Sequence, residues 1–152
     1  MTQDLLAAHP FAKSFWPDHI ARLASMAAEV HFAPGERIFH EGDPSSFFYL
    51  LLDGNVALEI SGPAHPVRVL TLYAGDVLGW SSLTGEPAKQ FQARALEPVR
   101  TLAFDGVRLR HACEEDYAFG FVLMRALASV LSGRLHAVRN QISEIYAPVG
   151  AA

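Results

Sequence analysis

Glycine punctuates the middle of this chain. Pro34-Gly35, Glu41-Gly42-Asp43, Asp53-Gly54-Asn55, Gly62-Pro63 and Gly75-Asp76 separate short runs rich in Val, Ile, Leu, Phe and Tyr. Glycine takes up left-handed backbone that other residues reach only under strain, and proline cannot donate to a strand ladder, so these positions are corners. Strand-like runs with turn signals at intervals of roughly 8–12 residues predict an all-β sandwich or roll, here over residues 31–104. Within it, Val56–Ile60 and Val67–Leu72 are predicted to pair as a hairpin across the Ser61–Pro66 loop.

Both flanks are helical in pattern. Pro17 suits a first helical turn, and Ile20, Leu23, Ala24 and Ala27 recur at three-to-four spacing, so residues 1–30 are predicted to be N-terminal helices. From residue 116 to 146 a long helix is predicted, with Met124, Ala128, Leu131, Leu135, Val138, Ile142 and Ile145 at alternating four- and three-residue steps. Gly133 lies inside it and weakens it by about 1 kcal/mol relative to Ala. The stripe either packs on the protein's own roll or meets a second copy. Beyond Leu135 it narrows to a seam, which suits an identical helix, so Leu131, Leu135, Val138 and Ile142 are the predicted homodimer contacts. Residues 147–152 are expected to be a flexible tail.

With 152 residues, 51% hydrophobic and 18% charged, the chain has the makings of one globular domain. A formal net charge of −4 argues against a general nucleic-acid binder. The single cysteine, Cys113, forms no internal disulfide and fits a reducing cytoplasm. Asp4 stands where a signal peptide is basic, and the apolar stretch Phe119–Leu131 is interrupted by Arg125, so neither export nor a membrane anchor is expected.

The string PGERIFHEGDPSSFFYLLLDGNVALEI from Pro34, followed by AGDVLGWSSL from Ala74, resembles the cyclic-nucleotide-binding domain of the catabolite-activator and kinase-regulatory-subunit superfamily. The matching residues are Pro34-Gly35-Glu36, Glu41-Gly42-Asp43, Phe48-Tyr49, Leu52, Gly54, Gly75-Asp76 and Gly79, within an overall likeness over roughly residues 10–146. The resemblance implies a mainly β fold, a double-stranded β-helix of jelly-roll type with N-terminal helices and a long C-terminal helix. It also implies a phosphate-binding cassette that begins Gly-Glu, forms a short helix and ends in Arg followed by Ser or Thr. The helix N-terminus and the Arg neutralise the cyclic phosphate, and the Glu accepts from the ribose 2′-hydroxyl.

This cassette departs at its chemical positions. Gly79 is kept, Trp80 stands at the Glu position, Lys89 at the Arg position and Gln90 at the hydroxyl position. An indole N–H donates but cannot accept from a ribose, and Lys lacks the two-pronged fit of Arg to phosphate. Each change removes about 1.5–3 kcal/mol, which moves a micromolar cyclic-nucleotide site toward millimolar. Gly79, Trp80, Ser81, Ser82, Leu83, Lys89 and Gln90 are the candidate ligand-binding residues, with Ser81 and Ser82 read as caps of the short helix. The family's long helix reaches the nucleotide base, which adds Arg139.

No catalytic constellation stands out. Ser81-Ser82 lacks the hydrolase elbow, and the seven histidines show no close pair of the kind a metal site uses, so no metal and no cofactor are expected. A helix-turn-helix module, which follows the long helix in the family's transcription factors, is not seen here, so direct DNA binding is not expected. The sequence therefore points to a cytoplasmic, non-catalytic regulatory module that senses a small anionic or nucleotide-like ligand and signals to a downstream protein. The alternative is a ligand-free interaction domain whose pocket is filled by Trp80.

Overall fold

A computed structural model describes residues 1–146. Three short helical segments lead in: α1 (Thr2–Ala8), a 3-10 turn (Pro10–Ala12) and α2 (Pro17–Met26). Eight strands follow: β1 (Ala27–Phe32), β2 (Arg37–Phe39), β3 (Phe47–Asp53), β4 (Val56–Ile60), β5 (Val67–Leu72), β6 (Val77–Leu78), β7 (Gln92–Ala95) and β8 (Val99–Asp105). A one-turn helix, α3 (Ser81–Thr84), interrupts them, and α4 (Gly106–Glu115) and α5 (Tyr117–Ile145) close the chain. The strands form two antiparallel four-stranded sheets, ordered β1-β8-β3-β6 and β2-β7-β4-β5. The predicted hairpin is β4 on β5, with Ile60 opposite Val67.

The strands begin at Ala27, earlier than the predicted boundary. Ala27 and Val30, read as helical, instead pair with Phe104 and Thr101 of β8. A run of small residues carries no strong preference of its own, and pairing along all of β8 decides it. α4 separates the roll from α5 and was not singled out in the sequence. Among the described residues six glycines have positive φ, including Gly35, Gly42, Gly54 and Gly75 at expected corners and Gly79 at the start of the cassette. Gly54 is required twice over: its φ is +89°, and a Cβ there would meet the Pro98 carbonyl oxygen at 2.3 Å.

Two cores share the first sheet. On one face Phe48, Leu50, Leu102 and Phe104 pack against Leu6, Phe11, Leu23, Leu109, Phe119 and Leu123 from the helices. On the other, Tyr49, Leu51, Val99 and Ala103 meet Val56, Leu58, Leu72, Ala93 and Ala95 of the second sheet. Burial on both faces explains the unbroken apolar run of β3, since each buried Leu or Phe contributes about 1.5–3 kcal/mol. On the outer face of the second sheet, Glu59 is buried and takes Arg94 Nη2 at 2.8 Å, Arg94 Nε at 3.2 Å and Gln92 Nε2 at 2.9 Å. Arg94 therefore points away from the interior of the roll, and its hydrogen bonds hold the Glu59 carboxyl below its usual range. His9 is buried as well, with Nδ1 accepting from the Phe11 N–H at 3.1 Å and Nε2 on the Leu51 carbonyl at 3.1 Å.

α5 starts where the Asp116 carboxylate accepts the Phe119 N–H at 3.2 Å. Its first half buries Phe119, Leu123 and Leu127 against the roll, and its second half is largely exposed. By length and composition alone α5 is long and apolar enough to cross a membrane, a test that a helix seated in a protein core also passes, and Phe119, Leu123 and Leu127 of α5 are seated in this core. The expected tail, 147–152, lies outside the described residues.

Candidate functional site

The cassette hangs between β6 and β7. Gly79 turns the chain at φ +77°, where a Cβ would meet the Phe47 carbonyl oxygen at 2.4 Å and Lys89 Nζ at 2.9 Å. Trp80 enters the helical region and α3 follows, stopped by Gly85 in the left-handed conformation. The N–H groups of Ser82 and Leu83 are taken by the Gly79 and Trp80 carbonyls at 3.2 and 2.9 Å. The two serines do not cap this helix as expected. Ser82 Oγ donates to the Gly79 carbonyl at 2.8 Å, and Ser81 Oγ pairs with Ser45 Oγ at 2.7 Å. Both hydroxyls tie the cassette to itself and to the chain before β3.

Trp80 lies where the two cores meet and packs against both. Its ring sits 5.6 Å from that of Phe91. Lys89, at the position the resemblance gives to arginine, folds inward and is only 5% exposed. Its ammonium donates to the Phe47 carbonyl at 3.1 Å and the Gly79 carbonyl at 3.3 Å, and lies 4.8 Å from the centre of the Phe39 ring. Among the described residues no carboxylate forms an ion pair with it. Burial pulls its pKa down to about 8, because the charged form has lost water and gained no counter-ion. Gln90 is exposed at the rim. Gly79, Trp80, Ser81, Lys89 and Gln90 thus line one cavity with Phe39, Leu58 and Phe91, and its free volume is about 10 Å³. That is space for about one water molecule.

Leu83 and Ser82 are buried but do not line this cavity, and Leu83 belongs to the helix-side core. Arg139 does not reach the cassette: it is exposed and outside the cavity lining. Arg134 is the residue of α5 that does. Its guanidinium carbon is 5.1 Å from the Trp80 ring centre, and Nη2 donates to the Val77 carbonyl. Arg134 is not among the site residues expected from the sequence. The available signal was its spacing, four residues after Val130 and seven after Leu127, which continues the buried face of the helix. Of the expected dimer residues, Leu135 and Ile142 are exposed, while Leu131 and Val138 are half-buried and Leu131 packs against the core.

A two-sheet roll with N-terminal helices, a glycine-entered turn into a one-turn helix and a long C-terminal helix defines a class of regulatory domain. The chain belongs to the cyclic nucleotide-binding domain family, whose sequence profile matches residues 29–116. It is 24% identical over 143 residues to a CRP-like cAMP-activated global transcriptional regulator of Mycobacterium tuberculosis, covering 93% of this chain and 62% of that protein. It is 30% identical over 110 residues to a cAMP-dependent protein kinase regulatory subunit of Emericella nidulans, covering 71% of this chain and 26% of the subunit. A solved structure from Geobacter metallireducens GS-15, assigned to the cyclic nucleotide-binding proteins, superposes with a TM-score of 0.81 at 32% identity, over 90% of this chain and 99% of that one. The chain therefore spans under two thirds of the length of these two regulators.

Proposed function

We propose that this chain is a non-catalytic regulatory module that senses a small anionic, nucleotide-type ligand in its modified cassette. It works in the cytoplasm as a homodimer joined through α5 and passes the ligand state to a downstream protein. One observation carries the reading: the Lys89 ammonium is buried at the position the resemblance gives to the phosphate-neutralising arginine and, among the described residues, has no carboxylate in ion-pair contact. A buried cation without a counter-ion destabilises the fold that holds it, and an entering anion relieves that cost. The regulators to which the chain is similar are named for cAMP activation or cAMP dependence. Here Trp80 offers no acceptor for a ribose hydroxyl, so cyclic AMP is expected to bind weakly.

A second reading is supported by the roughly 10 Å³ left in the cavity and by the packing of Trp80 on Phe91 and Arg134. In that reading the pocket is filled by its own side chains and the domain acts through protein contacts alone. A thermal-shift screen with cyclic mono- and dinucleotides, linear nucleotides and small phosphates separates the two. A ligand that binds the native state raises the melting temperature with its concentration, whereas a filled pocket leaves it unmoved. Failure of every compound to stabilise either the chain or its Trp80→Ala variant would refute the sensor.

A further inference from the structure

Arg134 and Lys89 approach adjacent residues of the cassette from different elements, Lys89 at Gly79 and Arg134 at Trp80. Lys89 holds the Gly79 carbonyl at 3.3 Å, and the Arg134 guanidinium carbon stands 5.1 Å from the Trp80 ring centre. Among the described residues only Nη2 of Arg134 has a partner, the Val77 carbonyl, while Nε and Nη1 are shut off from solvent with no hydrogen-bond partner there. A guanidinium carries five donors, and leaving buried ones unmet opposes folding. Asp76 is the one acid whose field acts on it, yet Asp76 is committed to the Tyr73 N–H at 2.8 Å and makes no ion pair with Arg134 among the described residues. Lys89 at Gly79 and Arg134 at Trp80 thus flank this pair of residues, and among the described residues no carboxylate is in ion-pair contact with either cation.

We infer that Lys89 and Arg134 form a two-cation clamp and that the cassette takes a dianion, a terminal phosphomonoester or a diphosphate, in preference to a cyclic phosphodiester. The inference rests on the sensor reading above. A cyclic phosphodiester carries one negative charge and balances one of the two cations; a terminal phosphate or diphosphate balances both. Once Nη2 leaves the Val77 carbonyl, either edge of the guanidinium that includes Nη2 presents two parallel donors, the arrangement that grips phosphate oxygens in pairs. The Lys89 ammonium supplies the point charge opposite. Trp80, covered on one side by Arg134, provides a flat apolar surface for whatever the phosphate carries. Entry of the anion requires Trp80 to move, because the cavity with Trp80 in place has about 10 Å³.

The test is calorimetric titration of the full chain with cyclic AMP, AMP, ADP and inorganic phosphate, repeated on Arg134→Gln and Lys89→Gln. AMP or ADP is expected to bind at least about tenfold more tightly than cyclic AMP, the worth of one further charge-assisted hydrogen bond. Arg134→Gln should remove that preference while leaving cyclic AMP affinity within roughly threefold. Inorganic phosphate binding as tightly as AMP would locate recognition in the phosphate alone and supports the clamp. Cyclic AMP binding as tightly as AMP overturns the clamp and leaves the sensor standing, as does an unchanged preference in Arg134→Gln. Binding of none of the four, by the chain or by Trp80→Ala, overturns both. Should Lys89→Gln fail to fold, Arg134→Gln decides the matter, since its side chain is only part-buried.

Discussion

Replacing Lys89 with Met keeps the length of the side chain and deletes the buried charge. Burial lowers the Lys89 pKa from 10.5 to about 8 in the folded protein. Below pH 8 both the folded and unfolded chains carry the proton, and the folded state bears the full penalty. Between pH 8 and 10.5 the unfolded chain binds more protons than the folded one, so stability rises with pH through that window. The shift from 10.5 to about 8 converts to about 3 kcal/mol. Urea unfolding of the two proteins from pH 7 to 10.5 isolates the effect, because other titrating groups cancel in the difference. The unfolding free energy of the parent relative to Lys89→Met should climb by about 3 kcal/mol across the window. A difference that stays flat within about 0.5 kcal/mol would mean that Lys89 is charged and comfortable in the fold, and the anion-seeking cassette would lose its foundation.

Replacing both Leu135 and Val138 with Asp should convert a dimer into monomers in sedimentation experiments, because charges would enter an apolar seam in which Leu135 is 72% exposed on the single chain. A parent protein that sediments as a monomer at high micromolar concentration refutes the α5 dimer. Gly79→Ala must bring a Cβ to 2.4 Å from the Phe47 carbonyl oxygen at a φ of +77°. The expected cost is at least about 2 kcal/mol, a fall of roughly 4–8 °C in Tm. Gly133→Ala, with nothing within 4 Å, should instead raise stability by about 1 kcal/mol, and calorimetry that finds the two alike refutes the assignment.

The strands and corners were legible because backbone geometry leaves few choices there. Gly54, Gly75 and Gly79 stand where only glycine is at ease, and their φ values bear this out. Sheet order and the start of β1 were less so: Ala27 has no strand preference until β8 lies beside it. Of the cassette residues named from the sequence, Gly79, Trp80, Ser81, Lys89 and Gln90 do line one cavity. The direction of Lys89 was not, since sequence registers its charge but not the Phe47 and Gly79 carbonyls that turn it inward. The exchange of Arg139 for Arg134 has a similar origin. Helical periodicity gives the faces of α5, but its axial register against β6 depends on how Phe119, Leu123 and Leu127 seat in the core.

α5 is also a beam anchored at one end. Its 29 residues span about 43 Å, and Arg134 lies about 26 Å from the fixed end at Tyr117. A tilt of about 5° at the Asp116 joint carries the level of Arg134 through roughly 2 Å and the free end through roughly 4 Å. Hydrogen bonds tolerate only a few tenths of an ångström, so the Val77 contact tells one setting of the beam from the next. The same tilt moves the packed base at Leu127, about 15 Å from the fixed end, through only roughly 1.3 Å, so the displacement grows toward the overhanging tip, where Leu135 and Ile142 stand exposed.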